Sequence, residues 1–146
     1  MSDTKEASAP ILSEQLCFAL YSTSRAITKA YASLLDDLGL TYPQYIVMLV
    51  LWEGDGLSPR ELSRRLEIDR ATMTPLIQRL EKMDLVRKTR DRADDRMLQV
   101  FLTDAGDVMR RQVFDMPERL GCALGISEQD AEILLRDVKR LRASIG

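Results

Sequence analysis

Two helix starts, eleven residues apart, constrain this chain more than any other feature of it. In Ser58-Pro59-Arg60-Glu61 a serine stands at the N-cap, a proline at the first helical position and a glutamate three residues after the cap. The helix it opens must be short, because Ile68-Asp69 follows closely and Asp69 caps a second helix running from Arg70 to about Met83. On that second helix Met73, Leu76, Ile77 and Leu80 share an inner face. After Asp84 the period changes. Leu85-Val86-Arg87-Lys88 and Met97-Leu98-Gln99-Val100-Phe101-Leu102 read as two strands around a charged tip, Arg90 to Arg96.

The flanks are helical. From Ile11 to Leu38 the apolar residues Leu12, Leu16, Leu20, Ile27, Tyr31, Leu34, Leu35 and Leu38 recur mostly three or four apart, and Gly39 ends the pattern. Thr41-Tyr42-Pro43-Gln44 opens a helix that is apolar nearly all round through Trp52 and therefore belongs in the core. Thr103 to about Leu124 reads as a helix bent at Pro117. Ser127 caps a last helix, to about Ala143, with Ile133, Leu134, Val138 and Leu141 expected to face inward. The expected fold is mainly α with a small β-hairpin. A short helix, a tight connection, a second helix and a charged hairpin make a winged helix-turn-helix. One domain over residues 1–146 is expected, with 41–103 as the winged helix-turn-helix. The long outer helices, 11–40 and 104–146, carry more apolar surface than that unit can cover, which points to a dimerisation region.

Composition narrows the function. With 146 residues, 45% hydrophobic and 30% charged, the chain matches one ordinary globular domain. Histidine is absent, which removes imidazole bases and every His-containing metal site. Two cysteines, Cys17 and Cys122, 105 residues apart, make no zinc pattern, so neither metal nor cofactor is expected. The longest apolar run, Tyr45 to Trp52, has eight residues, where a membrane span needs about 18 or more. The polar start MSDTKEASAP lacks a signal core, so a cytoplasmic protein with reduced thiols and no membrane partner is expected. The net charge of −2 hides an asymmetry: residues 58–98 carry 11 Lys/Arg against 8 Asp/Glu, a local +3, and the remainder stands at −5. A basic block on an acidic protein suits a DNA-contacting surface.

The second helix of the motif would do the reading. Its outer face offers Arg70, Thr72, Thr74, Gln78 and Arg79. Arg and Gln reach base edges bidentately, and Thr bonds phosphate oxygens or touches a thymine methyl. The hairpin tip adds Arg92, Asp94 and Arg96, with Arg96 as a minor-groove probe and Asp94 holding the turn by pairing with a basic neighbour. A polar surface helix and a salt-bridged turn would look the same in isolation. Their adjacency favours double-stranded DNA as partner.

Leu57 to Thr103 resembles the MarR family of winged-helix transcriptional regulators. The resemblance rests on the D-x-R of the wing (Asp94, Arg96), the apolar strand after it and Leu102-Thr103-Asp104-Ala105-Gly106, and it extends over nearly the whole chain. Arg92 stands where a proline is common in that family.

Cys17 lies in LCFALYS, beside the apolar seam of the first helix, where a cysteine is ordinarily a packed small hydrophobe. Tyr31, fourteen residues on, faces nearly the same way but about 21 Å further along the axis. The two cannot meet within one straight helix, but they can meet if the first helices of two subunits run antiparallel. A phenolic hydroxyl donating to a thiolate favours the reactive form of the sulfur. The block LCFALYS…Tyr31…LGLTYPQYIVMLVLWE strongly resembles the organic hydroperoxide resistance regulators, the OhrR-type, peroxide-sensing branch of MarR. That resemblance implies that Cys17 is the peroxide-reactive thiol and that Tyr31 and Tyr42 of the partner subunit hydrogen-bond it. Some members of that branch carry a C-terminal resolving cysteine, and Cys122 occupies the matching region, which would allow a disulfide with the partner's oxidised Cys17; a Cys122 that is only a packed small residue would leave that step to an outside thiol. The protein would then be a homodimeric repressor on a pseudo-palindromic operator, released by an organic hydroperoxide to derepress a resistance gene. A regulator answering a small phenolic ligand with inert cysteines is the alternative. A thiol peroxidase fits less well, because an enzyme has no need of the wing.

Overall fold

A computed structural model describes residues 8–90 and 97–146. Two short 3₁₀ turns bracket the first helix, α1 (Leu16–Leu35), and Gly39 in the left-handed region (φ 67°) ends that segment. The anticipated single helix from Ile11 to Leu38 is thus broken at its start, where extended Gln15 (φ −90°, ψ 120°) separates the first turn from α1, while its far end tightens directly into the second 3₁₀ turn. Helix α2 (Tyr42–Glu53) opens on a full capping box. The Gln44 N–H donates to Thr41 Oγ1 at 3.4 Å, and the Thr41 N–H donates to Gln44 Oε1 at 3.0 Å. Its Tyr45, Val47, Met48, Val50 and Leu51 are buried, as an all-round apolar helix requires.

Helix α3 (Pro59–Leu66) repeats the device, with Glu61 N–H to Ser58 Oγ at 3.1 Å and Ser58 N–H to Glu61 Oε2 at 2.7 Å. It ends at Glu67, a non-glycine residue in the left-handed region (φ 54°). Only Glu67, Ile68 and Asp69 separate it from α4 (Arg70–Lys82), which stops one residue short of the expected Met83. Met73, Leu76, Ile77 and Leu80 of α4 are all buried against α2 and α3, as their spacing predicts.

The wing strands β1 (Val86–Arg90) and β2 (Leu98–Leu102) pair antiparallel, Val86 opposite Leu102 and Arg90 opposite Leu98, each beginning one residue later than expected. Leu57 adds a further rung. Val100 N–H donates to Leu57 O, and Gly56 N–H to Val100 O, both at 2.8 Å. Thr103 then locks the exit of the wing. Its hydroxyl donates to Asp84 O at 2.5 Å and accepts from Gly106 N–H at 3.0 Å to cap α5 (Asp104–Met109). A Cβ on Gly106 would lie 2.1 Å from the Leu85 carbonyl oxygen, so no side chain fits there. The Thr-Asp-Ala-Gly run of the sequence is therefore a strand-to-helix lock, and Trp52 Nε1 donates to the Gly106 carbonyl at 2.9 Å to seal it.

Two expectations need correction. The bend expected at Pro117 lies earlier: the helix breaks at Val113–Asp115 and restarts as α6 (Met116–Leu124). Pro117 sits in the first turn of α6, where its missing N–H has no intrahelical partner to lose. Helix α7 (Glu128–Ser144) does not turn Ile133, Leu134 and Val138 inward. They are exposed and Leu141 is half-buried, because among the described residues no other layer lies over that face. The core is instead shared by α1's last turn, α2, α3, α4, the wing and Met116, with Leu35, Met48, Leu62, Met73, Leu80, Val100 and Met116 wholly enclosed. Among the described residues, no single helix is long and apolar enough to cross a membrane.

Candidate nucleic-acid interface and thiol site

The face of α4 turned from the core carries Arg70, Thr72, Thr74, Gln78 and Arg79, and every one of them is exposed. The same 3.6-residue period that buries Met73, Leu76, Ile77 and Leu80 puts them there. Asp69 holds the start of the helix, accepting the Thr72 N–H at 2.7 Å. The Thr72 hydroxyl bonds the same carboxylate, and these two hydrogen bonds hold the Asp69 carboxyl below its ordinary range, the side-chain bond contributing most. The Thr74 hydroxyl donates to the Arg70 carbonyl at 3.1 Å. Both threonine protons are thus used inside the helix. Towards a nucleic acid they present lone pairs and methyl groups, which suit base edges and thymine methyls, while a phosphate oxygen would need the hydroxyls to turn.

Three features of this face escaped the sequence reading. Arg60 and Arg64, one turn apart on α3, are exposed and add two cations to the other helix of the motif; their i, i+4 spacing was the available signal. Pro75 stands inside α4, on the exposed side, and cannot donate to the Ala71 carbonyl. The wing is braced from below, with Arg87 stacked 5.0 Å over the Phe101 ring and Lys88 Nζ 3.4 Å from Glu81 of α4. The tip residues Arg92, Asp94 and Arg96 lie outside the described residues.

The second constellation is aromatic. Tyr31 of α1 and Tyr42 of α2, singled out in the sequence, meet with ring centroids 4.8 Å apart. Tyr45, which the sequence reading left in the apolar run, joins them at 5.6 Å from Tyr31 and leads on to Trp52 at 6.4 Å. Its place three residues after Tyr42 was the clue. Burial, with Tyr45 and Tyr42 alongside, raises Tyr31 to about 12, so its hydroxyl stays a proton donor at any physiological pH.

The two cysteines are free and exposed, not packed. Cys17 sits in the first turn of α1 with Leu16, Phe18 and Tyr21 exposed around it. Since Cys17 and Tyr31 belong to one helix, about 21 Å of axis separates them. Cys122 lies in α6 and lines an open groove of about 850 Å³ between α6 and α7, with Pro117, Ile126 and Leu135 on its walls and Glu118, Glu128 and Glu132 among its lining. Among the described residues no group of His, Cys, Asp or Glu is placed to hold a metal ion.

Comparison with known proteins places this arrangement. Residues 29–112 match the family model described as transcriptional regulator SarA/Rot. The chain is 42% identical over 142 residues to the HTH-type transcriptional regulator TtmR of Methylorubrum extorquens, covering 97% of this chain and 73% of that one. It is 38% identical over 134 residues to the organic hydroperoxide resistance transcriptional regulator of Bacillus subtilis, covering 92% and 86%. Among solved structures it is similar to reduced AbfR bound to DNA, with a TM-score of 0.76 and 29% identity over 92% of this chain and 94% of that one. AbfR, a Staphylococcus epidermidis protein, has also been solved with a disulfide formed.

Proposed function

Because the chain belongs to the MarR/SarA-type winged-helix transcriptional regulators, DNA-binding proteins rather than enzymes, we propose that it is a homodimeric, peroxide-released repressor. In the reduced state two copies of α4 hold a pseudo-palindromic operator through Arg70, Gln78 and Arg79, with Thr72 and Thr74 at base edges and Arg92 and Arg96, steadied by Asp94, in the flanking groove. The dimer forms through the unpartnered apolar faces of α1 and α7.

One observation carries the sensing half of this reading. Tyr31 and Tyr42 stand together at one end of α1 while Cys17 is exposed at the other. A thiol and donors separated in this way become one site only when a second α1 lies antiparallel. The sulfur then lies beside two hydroxyls that donate to its anion, ringed by Leu16 and Phe18, which favour an alkyl hydroperoxide over hydrogen peroxide. The thiolate attacks the terminal oxygen of the hydroperoxide. The O–O bond breaks, an alcohol leaves after taking a proton, and Cys17 becomes a sulfenic acid. The thiol of the partner subunit's Cys122 then attacks that sulfur, forming the disulfide and expelling water. Closing that bond moves the outer helices and takes the two reading heads off the operator spacing. The relationship to the Bacillus subtilis hydroperoxide regulator and to AbfR supports this.

Fluorescence anisotropy of labelled DNA from upstream of the protein's own gene tests it. Reduced protein is expected to bind tightly, one equivalent of an organic hydroperoxide to abolish binding, and a thiol reductant to restore it. Cys17→Ser should bind and ignore peroxide, and Cys122→Ser should release but resist simple disulfide recovery. Binding indifferent to peroxide would leave a regulator with inert thiols, for which a small phenolic effector is the next candidate.

A further inference from the structure

Helix α7 has an odd position in this fold: seventeen residues long, it buries none of them. Its length is about 26 Å, and both ends are fastened. At its start, α6 closes with Gly125 in the left-handed region (φ 64°), the Gly125 N–H donating to the Cys122 carbonyl at 3.2 Å and the Ile126 N–H to the Gly121 carbonyl at 3.1 Å. The backbone of Cys122 is therefore part of the corner on which α7 turns. At its end, Arg142 reaches across 75 positions of sequence to Glu67. Arg142 Nε lies 3.4 Å from Glu67 Oε2, Nη2 bonds Oε1, and Nη1 donates to the Ile145 carbonyl at 3.3 Å. The guanidinium thus grips the carboxylate with two nitrogens, the geometry that fixes direction as well as distance.

Glu67 is not an arbitrary anchor. It is the left-handed residue that ends α3, and Asp69, two residues on, is the cap of α4. A displacement of Glu67 is passed through a three-residue connection into the start of the reading helix. We propose that α7 is a push-rod: the Arg142–Glu67 pair couples movement at the Cys122 corner to the turn of the helix-turn-helix, so that both residues are positioning residues for operator release. The inference rests on the redox reading above. It adds the route by which a bond made at α6 reaches α4 in the same chain.

The magnitude is bounded. Both side chains are more than half exposed, and such a pair can hold a coupling of about fivefold at most. The experiment measures the ratio of operator affinities, reduced over hydroperoxide-treated, for the full-length protein at one fixed salt concentration. Arg142→Gln and Glu67→Gln should each leave the reduced affinity within about twofold and shrink the ratio by roughly three- to fivefold. The double variant should shrink it no further than either single one, because both remove the same contact. A structural weakening alone would not give that pattern, since it would lower reduced binding as well. An unchanged ratio in either single variant, or effects that multiply in the double, would overturn the push-rod while the parent still switches. A parent that keeps its operator on oxidation would overturn the redox reading, and the push-rod with it.

Discussion

The winged helix and the outer helices use the same apolar residue types and treat them in opposite ways. From Leu40 to Val100 the aliphatic side chains that periodicity assigns to inner faces find partners within the chain: Met48, Leu62, Met73, Leu80 and Val100 are wholly enclosed. In α1 and α7 the pattern is as regular, yet Leu16, Ile133, Leu134, Leu135 and Val138 are exposed. The difference shows that one copy completes the reading head and leaves the outer helices unfinished. Under the function proposed above, a state set at a subunit contact gains from that division, because the DNA-reading helix stays folded while the contact changes.

The hardest blow to the first region would fall on Gly106. Its missing Cβ lets the Leu85 carbonyl close against α5, and that oxygen is backbone, so a methyl group there cannot be relieved by a rotamer change. Gly106→Ala is expected to cost about 3 kcal/mol or more, read as a lower urea midpoint with loss of DNA binding. A variant as stable as the parent would mean that the strand-to-helix lock gives way freely, and the contrast drawn above would weaken.

The second region should answer through association instead. Leu134→Ala leaves the enclosed core untouched, so secondary structure and the reading head persist. Half-exposed in one chain and, in the dimer proposed through α1 and α7, covered in both copies, Leu134 is expected to contribute about 1 kcal/mol per copy, hence roughly a 30-fold weaker dimer on truncation. Sedimentation at graded concentrations reads this directly. Unfolding of the parent should shift with protein concentration more than that of the variant.

How much of this was legible follows the same boundary. The caps at Thr41, Ser58, Asp69 and Ser127 all hold helix starts, because capping is chemistry within four residues. The inner face of α4 was legible from its period, and its outer face followed. A period says which side of a helix is apolar and not which chain covers it, so α7 read as inward-facing when it is exposed. Tyr45 was hidden by its apolar neighbours, and nothing local announces that Arg142 meets Glu67. The bend of the fifth helical segment was assigned to its proline by rule, whereas the chain breaks just before it and uses Pro117 to restart.

A smaller effect sharpens the comparison at high pH. Tyr31 joins the two regions, and its folded value, about 12, lies above the ordinary 10 of an unfolded tyrosine. The folded state therefore holds its proton more tightly. The resulting stabilisation is fully present below about 10 and is lost as pH rises from there through 12. Tyr31→Phe, which keeps the ring against Tyr42 but cannot ionise, should flatten that alkaline limb in urea titrations. The same variant should slow oxidation of Cys17 while leaving reduced DNA binding intact, since it removes a donor and not a packing surface.

The smallest effect separates the two regions by their caps. Helix α4 is capped by a carboxylate, Asp69, and α7 by the neutral hydroxyl of Ser127, which accepts the Asp130 N–H at 3.1 Å. The folded value of Asp69 is lowered by its bonds from Thr72, so the native state binds its proton less readily than the unfolded chain. The stabilisation is present above the unfolded value, near 4, and disappears as pH falls through the lowered folded one. Acid should therefore loosen the start of the reading helix while leaving the cap of α7 in place. The Thr72 amide resonance, followed by NMR as pH is lowered, should titrate with a midpoint below that of an ordinary aspartate. In Asp69→Asn, whose amide oxygen still caps but carries no charge, that titration should vanish and the acid limb of stability should flatten slightly. A Thr72 resonance that titrates at the ordinary value would show that the carboxylate does not hold the helix, and that both regions are capped alike in acid.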